Sequence, residues 1–285
     1  MDIFLNGKTA DITLDTEKNL GEVISGIEQW IAPSGSRIKK ICVNDKDVPE
    51  DELTRAFQIN IGDVGKLDIS VSPWRELAAE AFQFLYDTCL LYEKAAFDER
   101  KQIFAGWQKS SAARFLTSDI PDMYILACHT MSGEGLALQE FCSLIEERLR
   151  ETVDPDQEIS NCETQVKMIA ERLEEFPLDM QTGKDQRASE TIQAFSRLGE
   201  KLFRILFIHK SEGLSMDTFV IDDLPARTFI EEFNTALTEL SSTYESRDTV
   251  LAGDITEYEL APRLLKFFAA LKNITKSGSS VLSEP

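Results

Sequence analysis

The sequence predicts an α+β protein: a small sheet with one crossing helix in residues 1–73, an acidic all-α bundle of about seven helices over 74–276, and a disordered polar tail over 277–285. Three observations predict it. Apolar residues alternate with polar ones around an Asn-Gly pair near the N-terminus, the apolar period becomes helical after Asn19, and period-two stretches nearly vanish beyond Pro73.

Ile3 and Leu5 precede Asn6-Gly7, and Ile12 and Leu14 follow it. Both turn positions tolerate positive φ, so the pair closes a tight antiparallel hairpin. Leu20, Val23, Ile24, Ile27 and Ile31 then recur at helical spacing until Ala32-Pro33-Ser34-Gly35 stops the helix. Arg37 to Val43 forms the next strand, Val48 a short one, and Leu67 to Val71 the last, after a Gly62-Asp63 turn. Pro73 ends that strand and leads into the helix-favouring run from Trp74, which places a domain boundary there.

In the remainder, Ser118-Asp119-Ile120-Pro121 and Asp154-Pro155 combine a capping residue with an early proline and start helices. Ser132-Gly133-Glu134-Gly135 loosens one helix. A longer helix aligns Ile192, Phe195, Leu198, Leu202, Ile205, Leu206 and His209, another follows Asp222-Asp223-Leu224-Pro225, and the last spans roughly Thr249 to Lys276.

The order strand, strand, helix, strand, short strand, strand over residues 1–73 resembles the ubiquitin-like β-grasp fold. In that family the sulfur carriers and conjugated modifiers end the last strand in a free Gly-Gly. Here it ends Val71-Ser72-Pro73-Trp74 and the chain continues. The resemblance therefore implies a recognition module fused to a larger body, not a carrier. It covers about a quarter of the chain and says nothing of chemistry.

Composition narrows the function further. With 42% apolar and 28% charged residues the chain is that of an ordinary soluble globular protein. The formal charge of −20 disfavours nucleic acid, which binds by counterion release to basic surfaces, and an anionic membrane repels it. No apolar run is long enough to insert in a membrane. Cys42, Cys89, Cys128, Cys142 and Cys162 are odd in number and contain no CxxC pair, so they read as reduced residues of a cytoplasmic protein.

Candidate sites are few. His129 and His209 are the only histidines; His209 closes an apolar helix face near a C-terminus, and His129 has Asp122 two turns behind it but no further metal-ligand pattern. Cys128 and Cys142 lie on apolar faces without a visible base. Asp248 to Pro262 packs Asp254, Glu257 and Glu259 into an apolar frame, with Asp254 and Glu257 on one helix face. This segment resembles parts of uncharacterised helical proteins of motile bacteria. It is either an acidic first helical turn or, with Tyr258, a groove for a basic or amide-bearing partner. On the sheet, Ile41 and Val43 fall on one face of their strand and Ile38, Lys40 and Cys42 on the other, which either meets a partner or is covered by the chain's own helices. The leading expectation is a non-enzymatic adaptor that binds a protein partner through Ile38, Lys40, Cys42, Asp254, Glu257 and Tyr258, with no cofactor. The competing one is a metal-dependent or carboxylate-based enzyme drawing on Asp119, Asp122, His129, Asp254 or Glu257.

Overall fold

A computed structural model describes residues 1–14, 16–246 and 248–281, apart from the side chains of Glu50, Glu245 and residues 275–281. The chain divides into two compact units: Met1–Val153 with Ser211–Gly213, and Asp154–Lys210 with the chain from Leu214 onward.

The first unit opens with β1 (Asp2–Leu5) and β2 (Lys8–Thr9). Asn6 and Gly7 have φ of 50° and 73°, the mirror-image turn that matches strand twist, so the predicted hairpin forms. It is shorter than expected, because Ile12 and Leu14 pack on the core without extending β2. Next comes α1 (Leu20–Ile31), capped by the Asn19 side chain, which accepts from the Glu22 N–H, while Glu22 reaches back to the Lys18 N–H at 2.6 Å. β3 (Ser36–Val43) and β4 (Lys46–Asp47) are joined by Asn44 and Asp45, both left-handed, a second turn of the same kind. The short α2 (Leu53–Ala56) leads to β5 (Lys66–Pro73).

These strands make one mixed sheet in the order β2-β1-β5-β3-β4, with β1 parallel to β5 and β3 antiparallel to it. One apolar cluster unites the sheet and α1: Ile3, Ile41, Leu67 and Ile69 meet Leu20, Val23, Ile24, Ile27 and Ile31, all buried. Asn6 ties the centre together, since its side chain accepts from the Val71 N–H and donates to the Val71 C=O at 2.8 and 3.1 Å.

No linker follows the sheet. Pro73 ends β5 and caps α3 (Trp74–Lys94) directly, and the Trp74 N–H bonds the Gly35 C=O at 2.8 Å. The unit continues with α4 (Phe97–Gln108), α5 (Ser111–Asp119), α6 (Pro121–Ser132) and α7 (Leu138–Val153). Arg75 on α3 donates to the last carbonyls of α7, at Thr152 and Val153, both at 2.6 Å.

The second unit holds α8 (Pro155–Asn161), α9 (Glu163–Glu174), α10 (Phe176–Gln181) and α11 (Asp185–Ser211). Asp154 caps α8 as expected, accepting from the Gln157 N–H at 2.9 Å. Then β6 (Val220–Ile221) and β7 (Leu224–Pro225) form a hairpin over left-handed Asp222 and Asp223, where only a helix start was expected. Short acidic side chains tolerate this conformation, the signal that marked the turn. α12 (Ala226–Ser246), α13 (Thr249–Asp254) and α14 (Ala261–Val281) complete the unit. A cluster of Phe195, Phe203, Phe229, Phe233 and Phe267, with ring centroids 4.9 to 6.5 Å apart, fills its core.

Two expectations change here. The helical part is cut into more and shorter helices than seven, since elements end at Ala95-Ala96, Lys109-Ser110 and Cys162 as well as at the proline and glycine breaks. The final helix contains a π turn at Ile255–Leu260, where the Ala261 N–H reaches back five residues to the Thr256 C=O just before Pro262, which has no N–H to give. It is described past Lys276, to Val281; Leu282–Pro285 of the expected tail lie outside the described residues.

Candidate functional site

A cavity of about 1220 Å³ in the first unit is an open groove along β3. Ser36 to Ile41 form its floor, Glu28, Gln29 and Ile31 of α1 one wall, and Leu77, Glu80, Ala81 and Phe84 of α3, with Ser111 to Asp119 of α5, the other. Local structure explains why the floor is exposed. β4 pairs only with Cys42 and Val43, and the Val48 N–H adds one bond to the Ile41 C=O at 2.9 Å. N-terminal to Ile41, no strand pairs with the outer edge of β3 among the described residues.

A β-bulge at Lys39 corrects the expected facing of this strand. Ile38 pairs with Val71 and Lys40 with Ser70, leaving Lys39 unmatched. The extra residue resets the alternation, so Ile38 joins Ile41 and Val43 against the core instead of sharing a face with Lys40 and Cys42. The backbone direction follows too. Val71 gives its N–H and C=O to Asn6, and the Ile69 C=O takes the Asn6 N–H at 2.9 Å. Opposite them, Ile38 and Ile41 form non-hydrogen-bonded pairs with β5, and their own N–H and C=O groups point outward.

Six of the charged residues around the groove pair with one another. Arg37 donates through Nε to Asp119 at 3.0 Å and through Nη1 to the Ser36 C=O at 3.0 Å. Lys39 pairs with Glu80 at 2.6 Å and Lys40 with Asp47 at 2.6 Å. Cys42 Sγ donates to the same Asp47 at 2.9 Å. That hydrogen bond raises the Cys42 thiol pKa and, with Lys40, lowers that of the Asp47 carboxyl, while Asp47 raises the Lys40 ammonium. Cys42 is thus held as a thiol, the wrong state for a nucleophile.

Of the six sequence candidates, Lys40 and Cys42 come together on Asp47, and Ile38 lines the groove floor from the other face of the sheet. Asp254, Glu257 and Tyr258 lie in the second unit. Tyr258 is two-thirds exposed, and Glu257 accepts its hydroxyl hydrogen bond and so raises its pKa. The π turn breaks the even helical spacing on which the Asp254 and Glu257 pairing relied, and Glu259 is tied to Arg263 at 2.9 Å. Residues that sequence reasoning missed are Arg37, Lys39, Glu80 and Phe84; their involvement depends on where α3 and α5 pass, and a strand pattern carries no sign of that.

The catalytic candidates are scattered. Asp119 is engaged by Arg37, and Asp122 and His129 are exposed on α6. His209 is nearly buried, with Nε2 3.5 Å from Asp156. All five cysteines are free; burial raises the Cys142 thiol and pushes Cys89 up to about 12. Among the described residues, no group of three His, Cys, Asp or Glu side chains is placed to hold a metal ion, and no helix is long and apolar enough to cross a membrane.

Residues 1–73 match the family model described as the TP0873 N-terminal domain, and residues 157–269 match a domain of unknown function, DUF8042. No curated protein and no solved structure matches the chain.

Proposed function

We propose that the protein is a non-enzymatic adaptor whose N-terminal module is a ubiquitin-like β-grasp domain that recognises a protein partner. The sheet order β2-β1-β5-β3-β4 with one crossing helix supports the fold assignment. The observation that carries the function is the groove on β3: at about 1220 Å³ it exceeds the few hundred to a thousand Å³ typical of small-molecule sites, and a sheet edge forms its floor. Such a surface suits a polypeptide. The net charge of −20 steers basic or neutral proteins towards the chain and keeps nucleic acid away.

Crosslinking the full chain in its native cell, followed by mass spectrometry, tests this. The reading expects one dominant protein partner with crosslinks from Lys39 or Lys40, lost when Phe84→Lys places a charge in the groove wall. Recovery of no specific partner at low salt overturns it.

A further inference from the structure

We infer that the groove binds its partner by strand addition: an extended, uncharged segment of another protein lies against Ile38 and continues the sheet beyond β3. This rests on the adaptor reading and specifies how it works. The main chain makes the first case. Ile38 directs both its N–H and its C=O into the groove, with no strand there among the described residues to take them. A row of unpaired edge groups is a template for an incoming strand. The stretch from Ser36 to Lys40 spans roughly 14 Å at about 3.4 Å per residue; the Ser36 C=O is already taken by Arg37 Nη1, so the pairing centres on Ile38.

Charge selects the occupant. Although the chain carries −20, the groove lining holds four basic side chains, Arg37, Lys39, Lys40 and Arg114, against four acidic ones, Glu28, Asp47, Glu80 and Asp119. The three strand cations already have carboxylate partners, so a charged residue lying against β3 finds no free counter-charge among these pairs and loses hydration; Glu28 stands apart on the α1 wall. Apolar side chains gain instead, chiefly against Phe84, which is 47% exposed, while Leu77 and Ile31 in the two walls are already buried. A strand presents alternate residues to these two walls, whereas a helix satisfies its own backbone and leaves the Ile38 groups unpaired.

A second copy of the chain fits poorly. The edge is recessed between α1 and the α3–α5 wall, so two such edges cannot meet, and antiparallel pairing would set Arg37, Lys39 and Lys40 against their own counterparts.

The test is a selection of twelve-residue peptides from a displayed random library on the full chain, with affinities of the winners measured by fluorescence anisotropy. The expected winners alternate apolar and small polar residues without charge at their centre. N-methylation of the backbone nitrogens at one parity costs tenfold or more, and at the other parity little. Phe84→Lys lowers affinity at least tenfold with unchanged circular dichroism. Ile38→Pro, which removes an outward N–H without touching the β5 ladder, does the same. Winners that tolerate N-methylation at both parities overturn strand addition. Two other results also overturn it: binding that rises when residues 275–285 are deleted, which assigns the groove to the chain's own tail, and a dimer in sedimentation that Ile38→Pro dissociates. If these peptides fail while the crosslinked partner of the native cell is recovered, the adaptor reading stands and only the strand mode falls.

Discussion

The sheet of the first unit and the aromatic core of the second solve the same physical problem in opposite ways. In the second unit the five phenylalanines close on one another inside α9, α11, α12 and α14, and Phe267 has no exposed surface. Its polar groups are satisfied locally, as at Thr256, whose hydroxyl is fully buried and donates back to the Ala252 and Gly253 carbonyls at 3.1 and 2.9 Å. The sheet is just as well packed beneath α1, but it stops one strand short along β3. Stability concentrates where packing is closed, and the proposed binding edge is where backbone pairing is unfinished.

Substitutions in the closed core should cost stability, and substitutions at the open edge should cost binding. The largest effect is expected from Phe267→Ala, which removes a ring from contact with Phe203, Phe229 and Phe233 and should destabilise by about 3–5 kcal/mol in denaturant unfolding. A loss below about 1 kcal/mol would mean that this core is not closed. Gly253→Ala comes next. A Cβ there would lie 2.9 Å from Pro177 Cβ, so α10 and α13 must separate, at a cost of about 1–3 kcal/mol. The contrasting Gly26→Ala, on an exposed face of α1 with nothing within 4 Å, should stabilise by about 0.5–1 kcal/mol. Opposite signs at the two glycines would confirm that close approach, and not helix propensity, governs Gly253.

Asn6→Ala should destabilise the sheet by about 1–2 kcal/mol, through two lost hydrogen bonds to Val71 and a left-handed φ of 50° imposed on alanine. Hydrogen exchange at the Val71 amide is the direct measure. The smallest effect concerns Glu163, whose carboxyl is held down from an ordinary value of 4.5 to about 2, first by Lys272 of α14 and then by Lys167. Because the folded value is depressed, its contribution is present above pH 4.5 and lost as pH falls from about 4.5 towards about 2. Side-chain carboxyl titration by NMR should find the low midpoint, and Lys272→Met should move it upward.

Much of the architecture was legible in local residues. Asn6-Gly7, the Leu20-to-Ile31 periodicity, Asp154-Pro155 and Pro73 each act within a few positions, and each formed the turn, helix, cap or strand end that its chemistry dictates. The π turn and the Asp222-Asp223 hairpin were less legible: the first comes from a lost hydrogen bond shared between turns, the second from acidic residues that also serve as helix caps. The candidate site was half legible. Lys40 and Cys42 were placed on one face correctly because period two holds from Lys40 onward. Ile38 was misplaced by the bulge at Lys39, which no alternation pattern announces.

The sequence by itself determined the α+β class, the sheet with its single crossing helix, the helical character of the rest and the acidic charge, since all of these follow from periodicity, turn residues and composition. Only the tertiary structure decided that β4 is too short to cover β3, that α3 and α5 pass beside the exposed stretch, and that three ion pairs neutralise it. Those outcomes depend on which distant segments meet, and the groove on β3 exists because of where they meet.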